Sequence, residues 1–119
     1  MSQFKTKLIA ELVDDEKGIW RLTVPLVFES DEIGHVVVPS GFETDFASVP
    51  RIPVAYFVAG DTARYAAVVH DYLYSERTVS REVADGVFLE AMKTSGVSWW
   101  RRALMHRAVR LFGNCAYAS

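Results

Sequence analysis

Two short stretches of this chain carry groups that could do chemistry. The segment Thr44-Asp45-Phe46-Ala47-Ser48-Val49-Pro50-Arg51 sets hydroxyls, a carboxylate and a guanidinium into a proline-bounded loop. Further on, His70-Asp71 places an imidazole beside a second carboxylate. Polar groups of this kind seldom lack a structural or chemical duty when a fold buries them. His70 can serve as a general base, with Asp45 and Asp71 as the carboxylates that would join it in catalysis. Asp45, His70, Asp71 and Asp85 together offer oxygen and nitrogen donors suited to a divalent ion. Thr44, Ser48 and Arg51 are candidates for binding: the hydroxyls bond nearby amides, and the arginine can hold a carboxylate or phosphate of a partner.

Each of these groups also has a plainer use. His70 can be a core histidine whose ring nitrogens are satisfied by the Asp45-to-Ser48 loop, pinning that loop onto a helix; pairing is the rule for buried polar groups. Arg51 can form an internal salt bridge. Arg81 and Asp85 stand four apart on one helix, which suits a simple intrahelical pair. Alternatively Asp85 turns toward His70, with Arg51 or Arg81 fixing it. A hydrolase triad of Ser48, His70 and a carboxylate can be written, but no Gly-x-Ser-x-Gly elbow is present and Pro50 follows Ser48 closely.

The elements that must position these groups divide the chain into halves. Phe4, Thr6, Leu8, Ala10 and Leu12 alternate with polar residues, the pattern of a half-buried strand. Asp14 to Gly18 is a polar connection suited to a hairpin. Trp20, Leu22, Val24, Leu26 and Phe28 share one face of a second strand, in which Pro25 predicts an edge position or a bulge. His35 to Pro39 supplies a third strand. From Ser40 to Pro53 the periodicity stops, and Gly41, Pro50 and Pro53 mark an irregular, rather apolar loop.

The second half reads as helices. Asp61 or Thr62 can cap the first, which runs to about Ser75 and carries Ala66, Ala67, His70 and Leu73/Tyr74 on one face. Adjacent helical residues point about 100° apart, so His70 and Asp71 cannot both face one spot squarely. Ser80 can cap a second helix ending at Gly96, with Val83, Ala84, Val87, Phe88 and Ala91 as its stripe. Ser98 can cap a third, with Trp100, Ala103, Leu104, Ala108, Leu111 and Phe112 as its buried side. The expected core is Trp20, Leu22, Val24, Leu26, Phe28, Ala66, Val69, Leu73, Val87, Phe88, Leu104, Leu111 and Phe112.

Composition narrows the classes. At 119 residues, half of them hydrophobic, the chain suits one domain with a real core. The single Cys115 permits no internal disulfide, so a cytosolic setting with a free thiol is expected. The N-terminal residues show no apolar signal core, and no run approaches the roughly 20 apolar residues of a membrane span. The net charge of −2 disfavours a basic nucleic-acid binder. Yet residues 98–119 hold four Arg and no acid. Arg102 and Arg110 are therefore candidates for contacting an acidic protein partner, against the plainer reading of a solvated helix face.

The string Gly41-Phe42-Glu43-Thr44-Asp45-Phe46-Ala47-Ser48-Val49-Pro50-Arg51 resembles the hallmark of a small phage and prophage family, domain of unknown function 1353. The likeness continues through Ala66 to Tyr74, then Arg81, Ala84-Asp85, Phe88, Ala91-Met92 and Ala108 to Gly113. It covers roughly residues 20 to 113. What it implies is origin, a tailed-phage or prophage gene product, and no particular activity. A different order, His35, His70-Asp71 and Asp85, resembles the ligand order of His-Asp phosphohydrolases; but His35 falls in a predicted strand and that family is all-helical.

The expected fold is α+β: a small antiparallel sheet from about residues 4–39, the motif loop at 40–60, and two or three helices from about 61–113, in a single domain. Two functions of different class follow. One is an accessory phage protein, without cofactor, that binds another virion, assembly or host protein, working in the host cytoplasm or incorporated into the virion. The other is a small metal-dependent hydrolase of cell wall or phosphoester built on Asp45, His70, Asp71 and Asp85.

Overall fold

A computed structural model of the protein describes residues 2–44 and 64–112. The N-terminal half forms β1 (Gln3–Phe4), β2 (Ala10–Asp14), β3 (Ile19–Leu22), β4 (Leu26–Ser30), β5 (Gly34–Val38) and β6 (Glu43–Thr44). The C-terminal half forms α1 (Arg64–Glu76), α2 (Arg81–Thr94) and α3 (Trp99–Phe112). The arrangement is α+β, with antiparallel strands first and helices after, as the periodicities require.

The strands build two small sheets rather than one, in the orders β1-β4-β5 and β2-β3-β6. Both of the long strands expected from the alternation are divided. The first breaks between Phe4 and Ala10, the second between Leu22 and Leu26. The breaks lie side by side, so the paired chains leave one sheet and enter the other together: Phe4 pairs with Phe28 in the first sheet and Ala10 with Leu22 in the second. Pro25 sits in this crossing and has no N–H for a ladder. The crossing is stitched by Thr23 N–H to the Ile9 carbonyl (3.0 Å) and by the Thr6 hydroxyl to the Pro25 carbonyl (3.1 Å). Val24, expected in the core, lies in this crossing and is 37% exposed.

The sheet β1-β4-β5 carries the helices. β4 alternates strictly, with Leu26, Phe28 and Ser30 buried, and β5 presents Val36 and Val38 inward. Against them pack Ala66, Val69 and Leu73 of α1 and Ala84, Val87, Phe88 and Met92 of α2. Burial of one large apolar side chain such as Phe28 contributes about 1.5–3 kcal/mol.

Helix α2 has both of its ends specified. The Ser80 hydroxyl accepts from Val83 N–H at 3.2 Å, the N-cap bond expected of it. At the far end Gly96 takes φ +81°, while Gly96 N–H bonds the Lys93 carbonyl and Val97 N–H the Met92 carbonyl, a Schellman closure that buries Val97. Ser98 does not cap α3 with its side chain: its hydroxyl has no partner among the described residues, and only its carbonyl joins the helix, accepting from Arg102 N–H.

Helix α3 is turned from the expected phase. Met105 and Val109 are its buried residues, whereas Leu104 and Leu111 are 43% and 66% exposed. Trp100 is 45% exposed and Ala103 also faces outward. Apolar residues occur all round this helix, so hydrophobic period alone does not choose its inner face. Polar contacts to α2 choose it, as the site geometry makes plain. The expected core residues Leu22, Leu26, Phe28, Ala66, Val69, Leu73, Val87 and Phe88 are all buried, and Trp20 is half-buried. The side chain of Phe112 lies outside what the structure describes.

Candidate functional site

The three helices meet around one buried carboxylate. Asp85 faces inward from α2 and is fully buried, one turn on from Arg81. His70, also fully buried, reaches it from α1: its Nε2 stands 2.7 Å from Asp85 Oδ1. Tyr74, one turn along α1 from His70, donates its phenol to the same oxygen at 2.5 Å. Arg110 of α3 donates from Nη1 to Asp85 Oδ2 at 2.9 Å. The Arg81 Nε lies 3.9 Å from that oxygen, while its Nη2 donates to the carbonyls of Val109 (2.6 Å) and Arg110. One acid thus ties α1, α2 and the end of α3 together.

The electrostatics follow from these contacts. Burial works against a charged Asp85, but hydrogen bonds from His70, Tyr74 and Arg110 outweigh it and hold the carboxyl below its ordinary range. Burial pushes His70 below the usual imidazole value, and Asp85 only partly opposes this. Burial, and then the hydrogen bond to Asp85, push the Tyr74 phenol up. The consistent state is an ionised Asp85 facing Arg110 and Arg81, with a neutral His70 donating its Nε2 proton. The tautomer is assigned from the acceptor it faces. Nδ1 then carries a bare lone pair, and it has no hydrogen-bond partner among the described residues. The ring lies between Tyr74 and Phe88, with centroids at 4.1 and 4.5 Å.

An imidazole oriented by a carboxylate on one nitrogen and bare on the other is the arrangement that makes a general base. It is equally what a packed core needs to hold a polar ring in one orientation.

The other candidates are placed as follows. Thr44, buried at the end of β6, donates to Asp71 Oδ2 at 2.8 Å. The beginning of the motif loop therefore does sit beside the first helix, but it meets Asp71 and not His70. Of the proposed donors Asp45, His70, Asp71 and Asp85, the structure joins His70 to Asp85 and turns Asp71 to Thr44. Asp45, Ser48 and Arg51 lie outside the described residues. Among the described residues no group of three or more His, Cys, Asp or Glu converges in a way that could hold a metal ion. Arg102 donates to the Val97 carbonyl at 3.1 Å. Arg110 turns inward to Asp85 rather than standing wholly on a solvated face.

Asp85 turned toward His70, with Arg51 or Arg81 fixing it, is one of the two readings the sequence allows, beside a plain Arg81–Asp85 pair. Sequence reasoning missed Tyr74 as a donor and Arg110 as the nearer cation. The i,i+4 spacing of His70 and Tyr74 was a readable signal; nothing local pointed to Arg110. It also missed Glu90 of α2, which accepts from the Ser30 hydroxyl (2.6 Å), the Asp31 N–H (2.7 Å) and the Ser2 hydroxyl, fastening the β4–β5 turn to the helix.

A family model described as "Protein of unknown function (DUF1353)" matches residues 20–109. No curated protein and no solved structure matches the chain. The matched span includes β3 from Trp20 on, β4 to β6, all of α1 and α2 and the greater part of α3, and so all the residues around Asp85 save Arg110.

Proposed function

Because the chain belongs to the family of proteins of unknown function DUF1353, a membership that prescribes no activity, we propose from its surface that it acts by binding another protein. The carrying observation is the outer face of α3. Trp99 is 72% exposed, Leu111 66%, Trp100 45% and Leu104 43%, with Arg107 exposed among them. Large apolar groups interleaved with arginine are what protein interfaces concentrate. The motif resemblance supports a tailed-phage or prophage origin, so the partner is a virion, assembly or host protein. The chain would then work in the host cytoplasm or within the virion. The four arginines of α3 favour an acidic partner, and the net charge of −2 over the whole chain favours protein over nucleic acid.

The test uses the immobilised full chain against extracts of infected or induced host cells. A protein retained by the wild type is identified, purified and titrated back. Binding should weaken with salt and fall by about tenfold or more in Arg107→Glu. Retention of the same proteins by wild type and variant would end this reading.

A second reading keeps the metal-dependent hydrolase. Its support is the bare, buried Nδ1 of His70 next to an oriented carboxylate. Asp45, His70, Asp71 and Asp85 would supply the ligands. Metal analysis and native mass spectrometry of the purified protein decide it: a stoichiometric divalent ion, lost in a folded His70→Ala, is required.

A further inference from the structure

A second surface of the chain complements the first. Among the described residues β2 is an edge strand of the sheet β2-β3-β6, and its sequence AELVD contains neither lysine nor proline to blunt that edge. Around it Ile9, Leu12 and Val13 are 50%, 47% and 38% exposed. A register shift between Leu12 and Asp14 interrupts the pairing with β3 at Val13. The exposed charges here are Glu11, which pairs with Arg21 at 3.9 Å, and Asp15, Glu16 and Lys17 of the turn, a net acidic set. Asp14 is occupied in shaping the turn, accepting from the N–H groups of Glu16 and Lys17 at 3.1 Å. This end of the molecule is apolar and acidic.

The other end is apolar and basic. Between α2 and α3 runs an open groove of about 550 Å³, walled by Leu89, Trp99, Ala103, Leu111 and Arg107. Arg107 makes no hydrogen bond or ion pair among the described residues, whereas Arg102 and Arg110 are partly engaged within the chain. The two patches lie on different elements: α3 packs on α2, α2 packs on β4 and β1, and the β2–β3 hairpin pairs with β6 in the other sheet.

We propose that the occupant of the α2–α3 groove is a second copy of this chain, docking head to tail through its β2 edge and the Asp15-Glu16 turn. Ile9, Leu12 and Val13 would meet Leu89, Trp99 and Leu111, and Asp15 and Glu16 would meet Arg107. This rests on the reading of α3's outer face as a docking surface and names its partner. The contact is heterologous, since the two patches differ, so repetition gives a ring or an open chain rather than an isolated symmetric dimer.

The experiment is sedimentation velocity on the full chain across protein concentration and salt. Self-association should rise with concentration and weaken with salt. Arg107→Glu alone and Asp15→Lys with Glu16→Lys should each weaken it by about tenfold or more. All three positions are exposed, so folding should survive, which circular dichroism checks; Leu12→Ser supplies a second hairpin variant. The decisive arm mixes the two. The Arg107→Glu copy keeps an intact hairpin and the lysine variant keeps an intact groove, so together they should form a 1:1 complex that grows no further. A monomer at every concentration, association that persists in both variants, or a mixture that stays monomeric would each overturn the proposal. If the wild type is monomeric but still retains an extract protein through Arg107, self-docking fails and the protein-binding reading stands. If neither occurs, both fail.

Discussion

His70 Nε2 and Asp85 Oδ1 lie 2.7 Å apart across the interface of the first two helices, and both side chains are sealed from solvent. The pair is joined to the third helix by Arg110, so its loss reaches beyond one contact. His70→Ala removes a donor from a buried carboxylate and opens a gap against Phe88. Stability should fall by about 2–4 kcal/mol in denaturant unfolding. An unchanged midpoint would mean the imidazole contributes nothing to the fold.

Asp85→Ala should be at least as costly, about 3–5 kcal/mol, because it strands Arg110 and leaves His70 and Tyr74 without their acceptor. A double-mutant cycle with Arg110→Met isolates the ion pair. A coupling of about 0.5–3 kcal/mol is expected for groups in direct contact. Additive effects would show that Arg110 lends Asp85 no support.

Acid should weaken the protein in two stages. His70 is depressed below its ordinary value of 6.5, so just below that pH the unfolded chain binds a proton that the folded chain refuses. The unfolded state then holds more protons, and stability falls as pH drops from about 6.5 toward the folded value. Half-buried His106 is depressed by burial too and adds to this stage. The Asp85 contribution is present above its ordinary value of 3.8 and is lost as pH falls through its lower folded value. Unfolding free energies measured down the pH scale in His70→Gln and His106→Gln should each show a shallower first stage. A slope unaffected by either substitution would contradict the assignment of neutral, buried imidazoles.

The ends of α2 give smaller, local effects. Ser80→Ala should cost about 1 kcal/mol through the lost cap. Gly96→Ala should cost about 1 kcal/mol for backbone reasons alone, since φ is +81° and an added Cβ would meet nothing within 4 Å. Thermal unfolding of both variants checks these values.

Glu90→Gln tests the fastening of the β4–β5 turn. The amide can still accept from Ser30 or the Asp31 N–H, but it loses the charge that strengthens both bonds. A loss of about 1–2 kcal/mol is expected in denaturant unfolding, with amide exchange at Asp31 and Glu32 accelerated. No change in exchange there would mean the turn stands without the helix.

What could be read from the residues was what local rules control. Ser80 and Gly96 mark the limits of α2 because capping is written within a few positions of each end. Leu26 and Phe28, and Val87 and Phe88, fell in the core because their periods match their elements. Pro25 was read as an edge or bulge; it accompanies a complete change of sheet, which depends on the neighbouring Thr6-to-Ile9 segment making the same turn. The phase of α3 was not readable because Leu104, Met105, Val109 and Leu111 give it apolar residues on several faces. A contact to a distant acid on another helix decides the matter. Helical faces make an Asp85–His70 contact one of two open readings, whereas the contact to Arg110 depends on how three helices dock. Of the motif loop, Thr44 is seen at Asp71, and Asp45, Ser48 and Arg51 fall outside the described residues.

The guanidinium of Arg81 grips the carbonyls of Val109 and Arg110 just where α3 ends. Among the described residues of that helix, Met105 and Val109 are the fully buried apolar side chains. Its attachment therefore leans on these polar contacts more than the union of the other two helices does. Acid that neutralises Asp85 should release Arg110 and loosen α3 before the remainder of the molecule melts, making it a separately yielding cooperative unit.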